Sequence, residues 1–209
     1  MFKFIHSVAI VVIATCLLAA TGSTSANTLI SVGLGWAGGG PGAQSGNGPT
    51  PGQSGHRVPF GTVAADAKYA DVISVDIYNV TNPTPLLKKF AAFDKPIIIA
   101  EFSFRAKDSG LPNTIGAGLL VHTQTQRAAD TVEYLRHAMA VRQVIGYDWW
   151  QYMDEPRWGR WPSPLYSGGE NSNYGLIRRN GTVYKRITRA FTKFNAAAQR
   201  LHAHATVGP

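Results

Sequence analysis

Cysteine is almost missing from this 209-residue chain: Cys16 is the only one. No intrachain disulfide can form, and neither a cysteine-based zinc site nor a redox-active thiol pair is available. Acid is also scarce, with 12 Asp and Glu against 20 Lys and Arg and a formal charge of +8. Such a balance invites a polyanion. However, no phosphate-binding glycine loop, zinc-finger spacing or aromatic RNA-binding signature accompanies it, so nucleic acid is not expected as a partner. Much of the excess sits in Arg178, Arg179, Lys185, Arg186, Arg189, Lys193 and Arg200, mostly on one helical pattern whose solvated face they form. Long apolar runs are lacking too. The best candidate, residues 8–20, is shorter than the roughly 20 residues a bilayer span needs, follows Lys3 and precedes small polar residues. It reads as a secretory signal peptide, residues 1–26, that carries Cys16 away on cleavage after Ala26, although a site near Ala20 stays open. The mature chain is then secreted or periplasmic, with no stable membrane insertion.

What is abundant is glycine, and it is concentrated. Residues 33–55 are dominated by Gly, Pro, Ser and Gln, a composition that buries too little apolar surface to offset the cost of ordering. Residues 27–57 are therefore expected to be a flexible linker, followed by one ordered domain over 58–202 and a tail over 203–209. Within the domain the pattern alternates. Helices are predicted over 62–70, 85–93, 123–141 and 183–202, and strands over 72–78, 96–100 and 144–150, with long loops over 103–122 and 152–179. Strands separated by helices imply an α/β fold with a parallel sheet. Ala128, Val132, Leu135 and Met139 recur at helical spacing, as do Tyr184, Ile187, Phe191, Phe194, Ala198 and Leu201. Both stripes are read as core contacts.

The chemistry gathers where the strands end. Ile97, Ile98, Ile99 and Ala100 run directly into Glu101, the pattern of a buried parallel strand that delivers a carboxylate as it leaves the sheet. A lone Glu there also suits a helix cap or a surface charge. The other two strands end comparably, in Asp76, Tyr78 and Asn79, and in Asp148, Trp149, Trp150, Gln151 and Tyr152. In a parallel barrel such ends face one side. Aromatic faces beside carboxylates and amides suit a sugar, whose C–H groups stack on rings while its hydroxyls need polar partners. Because successive strand residues point opposite ways, one of Trp149 and Trp150 is expected to be purely structural. The loops add Arg105, Glu170, Asn171 and Asn173.

Three ordered motifs carry a resemblance: residues 101–113 (EFSFRAKDSGLPN), 146–152 (GYDWWQY) and 170–176 (ENSNYGL). They are similar to the C-terminal part of beta-agarase-like glycoside hydrolases, in the (β/α)8 retaining clan that includes beta-galactosidases, over about residues 58–198. The resemblance implies a partial barrel holding strands six to eight, with Glu101 as the nucleophile at the end of the seventh. It further implies Tyr78, Arg105, Trp149, Trp150, Gln151, Glu170, Asn171 and Asn173 as substrate contacts, and a galactan-type polysaccharide or oligosaccharide as substrate. Two carboxyls suffice for such hydrolysis, so no cofactor and no metal are expected; His122 and His137 lack ligand partners at useful spacing.

The clan's acid/base follows an Asn at the fourth strand, and no such pair lies upstream of residue 58. Asp154, Glu155 and Glu170 are available, but no motif maps them onto that role. The expectation is a truncated form lacking the acid/base half, with negligible turnover of agarose or aryl galactosides and self-association through exposed sheet edges. A non-catalytic secreted carbohydrate-binding protein, or an inactive fragment, is the alternative.

Overall fold

In the computed structural model, residues 32–34, 67–160 and 169–205 are described. The expected signal peptide, most of the expected linker and most of the helix expected over 62–70 lie outside them; residues 67–69 form a turn. A four-stranded sheet in the order β1-β2-β3-β6 is parallel throughout: β1 is Val32–Leu34, β2 Ile73–Asp76, β3 Ile97–Phe102 and β6 Val144–Trp149. Three helices accompany it: α1 (Thr84–Ala91), α2 (Gln124–Met139) and α3 (Lys185–Ala203).

β1 corrects the linker reading at its start. Val32 pairs with Ile73, Gly33 with Ser74 and Leu34 with Val75. Three residues amid glycine carry no strand signal of their own; the neighbouring strand supplies the pairing. The 103–122 loop needs a second correction, because it contains β4 (Phe104–Ala106) and β5 (Leu119–Val121), which pair in parallel as a separate two-stranded sheet.

One apolar layer holds the assembly. Ile73, Val75 and Ile77 on β2 and the segment after it, Ile97, Ile99 and Phe102 from β3, and Val144 from β6 are buried together with Leu87 and Phe90 of α1, Tyr134, Leu135 and Ala138 of α2, and Phe194 of α3. Alternation in β2 explains the choice: Ile73 and Val75 face the helices, whereas Ser74 and Asp76 stay half-exposed on the opposite face. α2 starts at Thr123, whose side chain accepts the Gln126 N–H at 3.1 Å, a cap that satisfies one orphan donor of the first turn. Its buried stripe is centred on Arg127, Thr131, Tyr134 and Ala138 rather than on the expected Ala128 and Val132, which are only partly buried. That rotation follows from burying an arginine, which hydrophobic counting assigns to solvent.

The turn into β5 depends on Gly118. Its φ is +81°, and a Cβ there would stand 2.3 Å from the backbone oxygen of Ser103. Gly118→Ala is expected to cost at least about 2 kcal/mol, combining left-handed strain with a clash against an atom that cannot swing away. Gly110, at φ +85° in open space, bears the strain alone, so Gly110→Ala should cost only about 1 kcal/mol. Urea midpoints compare the two, and equal losses would refute the packing argument.

Candidate active site

Strict alternation along β3 would place Glu101 on the helix-facing side with Ile97 and Ile99. The structure does otherwise. Val75 pairs with Ile99, but the next residue, Asp76, pairs with Glu101, so β3 carries one residue more than its neighbour at this point. Against β6 the count is the same: Ile99 pairs with Tyr147 and Phe102 with Trp149. This bulge at Ala100 and Glu101 returns Phe102 to the core, stacked on Tyr134 at 4.5 Å between centroids, and leaves Glu101 half-buried on the face of Asp76. Bulges of this kind re-aim one side chain while preserving the sheet around it.

Glu101 Oε2 accepts the Tyr78 hydroxyl at 2.9 Å. Burial pushes the Glu101 carboxyl up, the Tyr78 bond pulls it down, Glu170 pushes it up and Arg160 pulls it down. Tyr78 itself is buried, and burial together with the neighbouring Glu101 charge keeps its hydroxyl protonated as a standing donor. Asp76 stands beside Glu101 in register, and burial followed by the Glu101 charge raises its pKa from 3.8 to about 6. Adjacent strands lie only ~4.8 Å apart, so the two carboxyls stand side by side on one face of the sheet. Asp76 is therefore an immediate acidic neighbour of Glu101.

A stability test follows from the sign of that shift. A carboxyl whose folded pKa lies above its unfolded value makes folding progressively less favourable as pH rises from about 4 to about 6. Asp76→Asn should be neutral near pH 4 and stabilising above pH 6, on the order of 1–2 kcal/mol once solvent screening at this half-exposed site is discounted. Urea unfolding at the two pH values checks it; an equal effect at both would show that the charge is irrelevant.

Beyond Glu101, a second cluster forms at the end of β6. Arg160 Nη2 donates to Glu155 Oε1 at 2.5 Å and to Glu170 Oε2 at 2.8 Å, and its guanidinium lies 5.1 Å from the centre of the Trp150 ring. Gln151 Nε2 donates to Glu155 Oε1 at 2.6 Å, and the Tyr174 hydroxyl to Glu170 Oε1 at 2.9 Å. The Trp150–Gln151 peptide is cis. Tyr78, Trp150, Gln151 and Glu170 thus gather on the side of Glu101, directly or through Arg160. Neither Arg160 nor the structural use of Glu155 could be read from spacing, because their partners lie across loops.

Four of the expected sugar contacts have their side chains engaged inside the protein. Trp149 turns into the core, edge-on to Phe102 and Phe191, with Nε1 donating to the Tyr174 carbonyl at 2.8 Å. Arg105 is spent inside the protein, giving Nε and Nη2 to the Gly118 carbonyl and Nη1 to the Asn113 carbonyl and Ser172 Oγ. Asn171 Oδ1 accepts the Thr114 and Ile115 amides, and its Nδ2 donates to Thr114 Oγ1. Asn173 is fully buried, with Oδ1 accepting Gln124 Nε2 and Nδ2 donating to Asp154 Oδ1. These polar side chains stitch two loops together, which is why both runs are dense in hydrogen-bonding groups.

The other carboxyls near the mouth are similarly engaged. Asp154 and Glu155 are buried, Asp154 accepting from Asn173, the Gly175 amide and the Tyr184 hydroxyl. Among the described residues no cluster of His, Cys, Asp or Glu could hold a metal, and no helix is long and apolar enough to cross a membrane.

No family model matches the chain. Beta-agarase A of Vibrio sp. (strain JT0107) is 35% identical over 140 residues, which are 64% of this chain and 13% of that protein. Beta-agarase B of the same organism is 35% identical over 131 residues, 62% of this chain and 13% of its own length. Among solved structures, an exo-beta-agarase superposes with a TM-score of 0.62 at 31% identity, covering 70% of this chain and 19% of that one. The chain therefore spans about an eighth of the length of the curated relatives it matches. Over roughly two thirds of its residues, in sequence and in fold, it is beta-agarase-like.

Proposed function

We propose that this chain carries the nucleophile side of a secreted retaining glycoside hydrolase that acts on a galactan-type polysaccharide. The carrying observation is Glu101, turned by the β3 bulge onto the Asp76 face and held by Tyr78. On this reading β2, β3 and β6 are strands six, seven and eight of a (β/α)8 barrel, with β1 paired beside β2. Glu101 attacks the anomeric carbon; the bond to the departing oxygen breaks as the glycosyl ester forms, and water later releases the sugar with retained configuration. Tyr78 fixes one carboxylate oxygen, leaving the other to attack. Trp150, Gln151 and Glu170 border the sugar, and Arg160, over the Trp150 ring, holds Glu170. The relatives named above are agarases, which supports galactan as the polymer class. Glu170, Glu155 and Asp154 are each committed to internal partners, so none of these three is free to protonate the leaving oxygen.

Inactivation by a deoxyfluoro-galactosyl donor followed by peptide mapping tests the assignment. The label is expected on Glu101. A label elsewhere, or none while the chain still binds agaro-oligosaccharides, would favour the non-catalytic binding reading.

The sheet edges bear on assembly. Among the described residues β6 pairs only with β3, and Ile145 on it is 49% exposed. Unpaired edges recruit other strands, so the purified chain is expected to self-associate. Sedimentation showing a monomer across a concentration series would contradict this.

A further inference from the structure

We propose that the outer face of α3 docks a sulfated polysaccharide through an exposed stripe formed by Arg186, Arg189, Lys193 and Arg200. No residue of this stripe belongs to the Glu101 site, so the inference stands apart from the hydrolytic one. The four side chains are exposed. At 100° per residue they fall within an arc of about 60°, and from first to last they run ~21 Å along the helix. The opposite side of α3 is spent on the core through Ile187 and Phe194.

No counter-charge relieves the stripe. No Asp or Glu occurs after Glu170, and among the described residues none of the four makes an ion pair. On the packed neighbour α2, Glu133 is taken by Arg136 and His137, and Asp130 is hydrogen-bonded to Gln126. Like charges three and four residues apart destabilise a helix by a few tenths of a kcal/mol per pair. Arg186 with Arg189, and Arg189 with Lys193, accept that cost, which an anionic polymer would reverse.

The chemistry narrows the polymer. Three of the four cations are arginines, whose planar fork matches paired oxygens such as those of a sulfate ester. Thr192, Ala196 and Gln199 line the exposed flank, giving hydrogen-bonding groups for hydroxyls but no aromatic face on which single-stranded bases could stack. No large apolar side chain projects between the cations to enter a bilayer, as an interfacial helix requires.

Binding of the full chain to dextran sulfate, measured over a salt series, tests the proposal. Binding is expected with sulfated but not with unsulfated dextran. The combined variant Arg186→Gln, Arg189→Gln, Lys193→Gln, Arg200→Gln should bind at least about 30-fold more weakly, with the salt slope reduced by roughly one for each cation removed. A control with Lys68→Gln and Arg142→Gln, both exposed elsewhere, should bind like the parent. Absence of binding by the parent, an unchanged stripe variant, or an equal loss in the control would overturn the proposal. So would duplex DNA or anionic vesicles binding as tightly as dextran sulfate. Activity at Glu101 is not read, so failure here leaves that assignment untouched.

Discussion

Arg127→Met is expected to cost about 3–5 kcal/mol. Arg127 is 0% exposed, and its guanidinium joins segments distant in sequence. Nε donates to the Phe104 carbonyl at 2.7 Å, Nη2 to the Tyr174 and Gly175 carbonyls at 2.7 and 3.1 Å, and Nη1 to Gln124 Oε1 at 3.2 Å. The rings of Trp149 and Tyr184 lie 5.2 and 5.5 Å from it. Burial lowers its pKa to about 10, against the opposing pull of Asp154, so it stays charged at neutral pH. Methionine matches the stem but abandons three carbonyls and leaves the buried Asp154 carboxylate without its counter-charge.

The consequence reaches the site. Tyr174 reports on Glu170, and its carbonyl is held by both Arg127 and Trp149. Equilibrium unfolding in urea gives the loss, and amide exchange at Gly175, whose N–H is held by Asp154 at 2.8 Å, gives its location. Adding Asp154→Asn should recover part of the stability by removing the stranded charge, a coupling a double-mutant cycle reads directly. A Met variant within 1 kcal/mol of the parent, or a cycle with no coupling, would remove Arg127 from this role.

Arg127 also shows what could be read from the sequence. The apolar runs into β2, β3 and β6 and the two helical stripes fix the alternation of strand and helix, because burial imposes period and composition together. The motif at residues 101–113 likewise points to Glu101. Its direction is another matter. A two-residue period assigns it to the core side, and the extra residue that reverses this is visible only when β2 and β6 are laid against β3. β4 and β5 are three residues each, too short to show a period, and β1 lies in a glycine-rich setting that disguises it. Arg105, Asn171 and Asn173 carry residue types that recognise sugars and also bridge loops; only their partners tell the two uses apart.

Glu101→Gln is expected to abolish glycosyl transfer from a dinitrophenyl galactoside, by at least about 10³-fold, without loss of fold. Dinitrophenolate departs without being protonated, so this substrate tests the nucleophile with no demand on an acid. Deglycosylation, in contrast, needs a base to activate water, and Asp154, Glu155 and Glu170 are all engaged with internal partners. The parent should therefore release close to one equivalent of dinitrophenolate and then nearly stop, with a galactosyl mass increment on Glu101. The pH dependence of that burst carries the electrostatics. Attack requires the carboxylate, so the burst rate rises through the Glu101 pKa. Tyr78→Phe removes a bond that favours the ionised form and should move this limb to higher pH; Glu170→Gln removes a repelling charge and should move it lower. Opposite displacements identify the titrating group as Glu101 in the setting described. A burst that survives Glu101→Gln, or a limb displaced the same way by both neighbours, would mean that another group attacks the sugar.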